Sequence, residues 1–389
     1  MNIRNKWIYI LLFLPHFKPA YFDQVPLMDN IFNFARIISA AIILTLYFIR
    51  GKYSKIILLI SLLQISLLVS TIINKGDLFK LAISSFSIIV TCMLLEIGIL
   101  TNVKVLIRAI FFLLGFLIFI NFITIILYPN GMYQTLYKDN YFLGYDNIHI
   151  TIILPAISIG LLKIKMEQKQ FIMTTLILVT SFISIYLRWS ATSVFGVTLF
   201  LLFIIFYKLK ITKKFGITSY IVINIAIFLL VVILSVQNIF TYLIVDLLHK
   251  DLTFTGRTFI WDKALMYIKD SMIWGNGVEN PALTFDRLGV FHAHNFYLDL
   301  MYRGGVIALT IFIIILFVSG KKFSKFQGND LGTIISFTIF DFLVIFQVEA
   351  YQYMPLFYGI IIMAYHIDSI IFEYSNTSFI HRLKSINVS

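Results

Sequence analysis

The chain is dominated by long, uninterrupted apolar runs that are separated by short charged or turn-rich segments. Runs such as Ile56–Ile73 and Ile217–Val236 are too long for β-strands, whereas ~20 apolar residues are enough for a helix to cross a bilayer. The pattern predicts an all-α polytopic membrane protein with about 12 transmembrane helices. The predicted spans are 7–22, 31–49, 55–73, 78–100, 104–128, 148–162, 170–187, 191–207, 217–236, 304–319, 331–347 and 353–371.

Composition supports the membrane class and excludes several others. Of the 389 residues, 60% are hydrophobic and 13% are charged, whereas a soluble domain has about 45–50% apolar and about 25% charged residues. Soluble multi-domain enzymes are therefore excluded. The single cysteine, Cys92, excludes an intrachain disulfide and a paired-thiol redox mechanism. No GxxxxGK[ST] or GxGxxG pattern occurs, which argues against ATP-driven transport.

The distribution of basic residues predicts the orientation in the membrane. If the N-terminus is cytoplasmic, 19 of the 31 Lys and Arg residues fall at cytoplasmic ends of spans. Six lie in one long external loop and six in short external segments. This bias follows the positive-inside rule and predicts a protein of the cytoplasmic membrane with both termini in the cytoplasm. The net charge of +12 thus reflects topology, and no nucleic-acid partner is expected.

The spans divide the chain into three parts. Residues 1–236 form an N-terminal transmembrane bundle of about nine helices, and 304–389 contain about three further helices and a cytoplasmic tail. Between them, 237–303 is a polar external loop rich in Gly, Asn, Asp and aromatic residues. A loop of this length is expected to be ordered and functional. We expect short amphipathic helices in it, one of them over 257–270 with Trp261 at the lipid headgroups.

Three motifs in this region resemble those of the O-antigen ligase and polymerase (Wzy-type) superfamily. They are Gly256–Arg257–x–x–x–Trp261, then Gly275–x–Gly277, then His294–Asn295 followed by Gly305 and Ala308. Alanine at 308 replaces the second glycine of the family's helix start. The resemblance implies a GT-C-like membrane glycosyltransferase that joins polyprenyl-pyrophosphate-linked oligosaccharides, donor and acceptor, outside the cytoplasmic membrane. It also implies inversion of the anomeric carbon, no metal or other cofactor, and a flippase and a chain-length regulator as candidate partners in the bilayer.

Arginine side chains are the candidates for binding the departing pyrophosphate. Without a metal, a fixed cation must receive the charge that develops on this group, and the planar guanidinium fork binds phosphate oxygens at two points. Arg257 carries the family motif, Arg188 matches the family's arginine at a helix end, and Arg36 lies near the external end of the second predicted span. For Arg36 snorkelling to the interface, and for Arg188 an interfacial anchor, remain the alternatives.

His294 is the candidate proton acceptor for the attacking sugar hydroxyl, because neutral imidazole can act as a base near pH 7. It could instead orient the sugar or donate a hydrogen bond to phosphate. Asp299 and Glu279 are the alternative bases. Asn295 is expected to cap the following helix, and Arg303 is spaced i, i+4 from Asp299 and could pair with it.

Other ionisable groups have weaker interpretations. His292 and His294 could share a metal with His249 or Asp286, but no third ligand has a recognisable spacing, and no metal is expected. Ionisable residues also occur in or beside the predicted spans. They are Glu96, Asp341, Glu349, His366 and Asp368. Asp341 is expected to make a helix–helix hydrogen bond, with a proton relay as the alternative, and His366 is expected at the inner interface.

Three functions remain open. The first is a polymerase of lipid-linked repeat units for a capsule, exopolysaccharide or O-antigen, which the Ile-, Lys-, Phe- and Asn-rich composition favours. The second is a ligase that transfers a finished glycan to another acceptor. The third is a 12-helix transporter or flippase, which would predict internal repeats and more ionisable groups along a central path. Here the polar residues concentrate in one external loop instead.

Overall fold

The computed structural model describes residues 3–135, 138–167, 171–211, 215–233, 257–326 and 328–375. Within them, the helices are α1 Lys6–Phe13, α2 Pro26–Arg50, α3 Lys55–Ile73, α4 Leu78–Leu127, α5 Ile150–Glu167, α6 Phe171–Arg188, α7 Ala191–Lys208, α8 Ile217–Phe228, α9 Arg257–Asp270, α10 Pro281–Leu288, α11 Phe296–Phe323, α12 Asp330–Ile345, α13 Pro355–Tyr365 and α14 Ile367–Ser375. A small antiparallel hairpin joins β1 Tyr133–Thr135 to β2 Lys138–Asn140. Gly256, His249 and the rest of 234–256 lie outside the described residues.

The helices confirm the all-α polytopic membrane architecture. Seven of the described helical segments are long and apolar enough to cross a membrane, and α13 with α14, bent by 66° between them, would be an eighth. The total of about 12 stays a prediction, because α1 and α8 are shorter apolar helices and α4 combines two of the predicted spans.

Helix α4 contains a sharp break. Its 50 residues would extend about 75 Å at 1.5 Å per residue, more than twice the ~30 Å hydrocarbon core. Asn102 has non-helical angles (φ −160°, ψ 79°), and a Cβ on Gly98 would lie 2.7 Å from Leu106 Cδ1. Since residues eight apart on a straight helix are about two turns apart, the chain must fold back here. The break lies between the predicted spans 78–100 and 104–128.

The first predicted span, 7–22, is wrong in its extent. Helix α1 ends at Phe13 and continues only as short 3-10 turns, Leu14–Phe17 and Ala20–Gln24. Pro15 and Pro19 lack the backbone N–H that a continuing helix would use. Pro26 instead opens α2 at its first turn, five residues before the predicted start at 31.

Helix α11 begins at Phe296, directly after Asn295 as expected, and so includes eight residues before the predicted span 304–319. Asn295 caps it as expected, accepting hydrogen bonds from the backbone N–H groups of Tyr297 and Leu298. The helix breaks at Gly305 (φ 64°, ψ −167°), a conformation that glycine adopts readily. The predicted span 304–319 corresponds to the part of α11 after this break.

Trp261 in α9 does not take its expected position at the lipid headgroups. Trp261 is buried and belongs to a small apolar cluster with Ala264, Ile268 and Leu298, whereas Phe259 is exposed. The indole therefore packs against α11 instead of lying at the headgroups, because its large apolar ring gains more from close packing.

One prediction for ionisable groups inside the bundle is wrong. Asp341 is fully buried and neither carboxyl oxygen has a hydrogen-bond partner among the described residues, so the expected helix–helix hydrogen bond is not made there. His366 is buried, with its Nε2 2.8 Å from Glu96 Oε1, and its level at the inner interface stays a prediction. Burying this imidazole is tolerated because the carboxylate meets its hydrogen bond.

Candidate active site

The buried carboxylate of Glu349 organises the site. Glu349 lies in the 346–354 connection between α12 and α13, and its side chain is fully buried. Oε1 lies 3.1 Å from His294 Nδ1, and Oε2 lies 3.9 Å from the Arg257 guanidinium. Oε2 also accepts a 2.9 Å hydrogen bond from the Asn147 side-chain amide. Three segments distant in sequence therefore meet at one carboxylate.

The chain between His292 and Phe296 is held next to the 346–349 segment by backbone contacts. Phe296 N–H donates to Phe346 O at 2.8 Å, and the Asn295 amide donates to Gln347 O at 2.9 Å. His294 itself has a positive φ of 48°, which is uncommon for a non-glycine residue and marks a constrained position. This geometry directs the imidazole of His294 at Glu349.

Hydrogen bonds define the protonation of both histidines. The backbone N–H of His294 donates to His292 Nδ1 at 3.3 Å, so this nitrogen carries no proton. Burial, assisted by the neighbouring His294, lowers the pKa of His292 to about 4, which leaves that ring neutral near pH 7. For His294, Nδ1–H donates to the carboxylate oxygen Oε1 of Glu349. In the neutral tautomer that makes this bond, the lone pair lies on Nε2.

Glu349 is an ionised carboxylate. Burial raises its pKa, but the hydrogen bond from His294 and the positive charge of Arg257 outweigh burial and lower the pKa below its usual value. The orientation of Asn147 agrees with this state. Because the Ser190 hydroxyl donates to Asn147 Oδ1 at 3.0 Å, the NH₂ group of Asn147 faces Glu349.

The two arginines with the strongest sequence signals occupy different environments. Arg257 approaches Glu349 without a direct hydrogen bond, and none of the residues that the structure describes accepts a hydrogen bond from its guanidinium. Arg188 instead pairs with Asp146 at 3.2 Å and donates to Pro129 O at 3.0 Å. Its guanidinium also lies 4.6 Å from the centre of the Tyr141 ring. These contacts favour a structural role for Arg188 over binding of pyrophosphate.

Arg36 lines the same cavity as His294. This first cavity has a volume of about 940 Å³, within the range of ligand sites, and its walls are mostly apolar. Among the described residues, Arg36 makes only long hydrogen bonds of 3.4 Å, to Pro15 O and the Asn33 side chain. Lys18, also in the wall, is neutralised by Asp23 and Asp29. The structure thus places Arg36 and His294 in the wall of one cavity, whereas Arg257 joins the site through Glu349 and is not part of that wall.

The predicted alternative bases lie in a second, neighbouring cavity of about 420 Å³. Asp299 Oδ2 is 2.8 Å from Arg303 Nε, as the i, i+4 spacing indicated, and its other oxygen accepts the Ala293 N–H. Glu279 accepts hydrogen bonds from Tyr302 and Arg287. These bonds occupy both carboxylates, whereas Nε2 of His294 remains available as a base.

The glycine motif serves packing. In the turn Trp274–Gly277, the Asn276 and Gly277 N–H groups donate to the carbonyls of Tyr302 and Arg303, next to the α11 break. A Cβ on Gly275 (φ 73°) would lie 2.6 Å from Gly305 N. The turn is therefore a docking element for α11.

His292 and His294 do meet a third group with which they could bind a metal, and this group is Glu349. His292, His294 and Glu349 place one ligand atom each within 4.8 Å of one another; Asp286 is not part of this group. The fit is poor, because the neutral ring of His292 accepts a backbone N–H at Nδ1 and so carries its proton on Nε2, the nitrogen that faces Glu349.

Glu349, Asn147 and Ser190 were not assigned to the site from the sequence. The only signal was that Glu349 is an acidic residue at the end of an apolar span. Asn147 and Ser190 carry no motif, and their role depends on the docking of three separate segments.

Comparison with known families supports the motif interpretation. Residues 176–313 match the Wzy_C family, described as O-antigen ligase. The resemblance to the O-antigen ligase and polymerase superfamily is therefore confirmed over a segment that contains Arg188, Arg257 and His294. Glu349 and Asn147 lie outside it. No curated protein matches the chain.

Proposed function

We propose that this multi-pass membrane protein, a glycosyltransferase-like relative of the O-antigen ligases, polymerises polyprenyl-pyrophosphate-linked oligosaccharide repeat units into a surface polysaccharide. The observation that carries the proposal is the convergence of His294 and Arg257 on the buried carboxylate of Glu349. One group can take a proton and the other can receive negative charge, and glycosyl transfer from a pyrophosphate needs both.

The chemistry follows from the tautomer of His294. Its Nε2 accepts the proton of the acceptor hydroxyl as the oxygen attacks the anomeric carbon of the donor. The bond between this carbon and the pyrophosphate oxygen breaks, and the electron pair leaves with the pyrophosphate. Glu349 stabilises the imidazolium that forms, and attack opposite the leaving group inverts the anomeric carbon.

Arg257 and Arg36 would receive the charge of the leaving group. Both have N–H groups that are not held by a carboxylate at hydrogen-bond distance in the described residues. A guanidinium can bind two phosphate oxygens at once. The apolar walls of the first cavity suit the first isoprene units of the lipid carrier.

The proposed orientation places this site at the outer face of the cytoplasmic membrane, with both termini inside. Segments that the positive-inside rule assigns to the outside are those that meet at the site, among them Asn147, Ser190 and Glu349. A flippase that delivers the repeat unit and a chain-length regulator are proposed partners. Residues 237–303 would be the external catalytic loop between the 1–236 bundle and the 304–389 helices.

A ligase is the second candidate, since the matching family is described as O-antigen ligase. Incubating the purified protein in lipid nanodiscs with one lipid-linked repeat unit separates the candidates. A ladder of longer glycans supports the polymerase, and transfer only to a different acceptor supports the ligase. If the protein moves the lipid-linked unit across a bilayer without joining it, both fail and a transporter remains.

A further inference from the structure

We infer that the second cavity is a saccharide subsite that holds the acceptor end of the glycan; this inference rests on the proposed function. The cavity of about 420 Å³ is enclosed by α3, the N-terminal parts of α4 and α11, and the 351–354 segment. It shares Lys80, Phe291, Tyr351 and Tyr353 with the cavity of His294. A ligand here therefore lies beside the proposed base without occupying the apolar cavity.

Gln64 carries the inference. It lies at the middle of α3, it is 3% exposed, and it lines the second cavity. Its amide makes no hydrogen bond to any residue in the described part of the chain. The amide atoms are not among the polar atoms that are both closed off from solvent and unpaired, so the amide opens into the cavity, where water can hydrate it. A polar ligand that both donates and accepts hydrogen bonds would satisfy it.

The charges around the cavity balance in sign: Arg303 pairs with Asp299 and Arg287 with Glu279, and Asp77 and Lys80 add one charge of each sign to the wall. Arg303 uses its Nε on Asp299, while its two terminal nitrogens hold no hydrogen bond to the residues that the structure describes. The Arg303 carbonyl is fixed by Ser70 Oγ at 2.7 Å and by Gly277 N–H at 2.9 Å. The guanidinium donors thus enter the cavity from a rigid backbone, which reduces the entropy cost of binding.

This lining suits a neutral polyhydroxyl compound better than an anion. The positive charge of Arg303 is balanced by Asp299, and Glu279 is balanced by Arg287. The electrostatic potential here would attract a pyrophosphate less strongly than the potential beside Arg257 and Arg36. The rings of Tyr351 and Tyr353 offer apolar faces, and the pocket volume lies in the range of small-ligand sites. A sugar has both hydroxyl edges and apolar ring faces.

The acceptor end is the part of the substrate that this position fits. The acceptor hydroxyl must reach Nε2 of His294, and the Ala293 N–H bonds directly to Asp299 in the cavity wall. The donor pyrophosphate is drawn instead towards the cations of the first cavity. Binding of acceptor sugar in the second cavity would place its hydroxyl next to the 292–294 segment.

The test measures binding of the lipid-free repeat-unit oligosaccharide, released from the producing cells, to the full-length protein in nanodiscs by isothermal titration calorimetry. Gln64→Leu removes the amide while keeping a similar size, and Gln134→Leu on the exposed hairpin is the matched control. We expect Gln64→Leu to weaken binding about tenfold, as for the loss of one hydrogen bond, and Gln134→Leu to leave it unchanged. The Tm of Gln64→Leu should stay close to that of the wild type, because the amide has no hydrogen-bond partner among the described residues to lose.

Equal oligosaccharide affinity in wild type and Gln64→Leu would overturn the subsite, as would the absence of any binding to the wild type. The proposed function fails by a different result. If His294→Ala still builds long chains while Gln64→Leu loses oligosaccharide affinity, the mechanism is wrong and the saccharide subsite stands. Arg303→Lys supplies a second variant, with an expected affinity between those of wild type and Gln64→Leu.

Discussion

Replacing Glu349 by glutamine tests the role assigned to the buried carboxylate. The substitution keeps the shape of the side chain but removes its negative charge. Because Ser190 fixes the Asn147 amide with its NH₂ group towards Glu349, the oxygen of the new amide must face Asn147. The NH₂ group of the substituted side chain would then face His294 Nδ1, and the proton of His294 would have to move to Nε2.

Two losses then combine. A hydrogen bond to a charged group contributes about 1.5–3 kcal/mol, which corresponds to roughly tenfold to a hundredfold in rate. Blocking Nε2 with a proton removes the base as well, so we expect Glu349→Gln to lower the rate of chain extension by at least about a hundredfold. A wrong histidine tautomer costs about ten-thousandfold in the serine-protease example.

The assay is the initial rate of glycan elongation in nanodiscs, read from a gel of labelled chains. Glu167→Gln is the matched control, because Glu167 pairs with Arg108 at the predicted cytoplasmic end. It should retain the wild-type rate, and all variants should reach the membrane at equal levels. A Glu349→Gln protein that extends chains within about twofold of wild type would refute the reasoning.

Five further outcomes are expected. His294→Ala should abolish long chains, and Arg257→Lys should remain largely defective because lysine cannot make the two-point contact; normal chain lengths on a gel would contradict either. In the folded protein the pKa of His292 is lowered to about 4, so between pH 6.5 and 4 the unfolded chain binds more protons than the folded chain. The free energy of unfolding therefore falls as the pH drops through this window. At pH 5 the lost free energy of unfolding is about 2 kcal/mol. Between pH 7 and 5 the Tm of His292→Gln should therefore fall less than the Tm of the wild type. An identical fall in both proteins would contradict the lowered pKa of His292. Gly275→Ala should lower the Tm more than Gly51→Ala. Both glycines have a positive φ, but a Cβ at position 275 would meet backbone atoms 2.6 Å away, whereas a Cβ at position 51 would meet no atom within 4 Å. Equal decreases in Tm would contradict the docking role of the 274–277 turn. Full activity of the purified enzyme in EDTA is expected, and a loss that Zn²⁺ restores would favour a metal at His292, His294 and Glu349.

Much of the helical framework could be predicted from the sequence, because a run of about 20 apolar residues has few alternatives in a membrane. The spans from α3 to α7 agree with the predicted ranges within a few residues, as does the reversal at Asn102. The errors fall where local backbone chemistry competes with hydrophobicity. Pro15 ends α1 early, and the break at Gly305 lies inside a helix that starts nine residues earlier.

The candidate site could be predicted only where residues carry a family motif. Arg257 and His294 were found that way, and the structure brings them together. Glu349 was visible as an acidic residue near a span but had no assigned partner. The contact from Asn147 to Glu349 joins residues 202 positions apart. Such contacts depend on how whole helices dock against one another. The hydrophobic pattern of the sequence does not determine this docking. The same holds for Arg188, whose pairing with Asp146 depends on the fold of the 128–149 segment.

A double-mutant cycle on His294 and Glu349 tests the central claim most directly. Initial elongation rates are measured for His294→Ala, Glu349→Gln and the double variant in the same nanodiscs. If the two side chains act as one unit, the double variant loses no more activity than His294→Ala alone. Losses that multiply, or a single variant that elongates chains normally, would contradict the account.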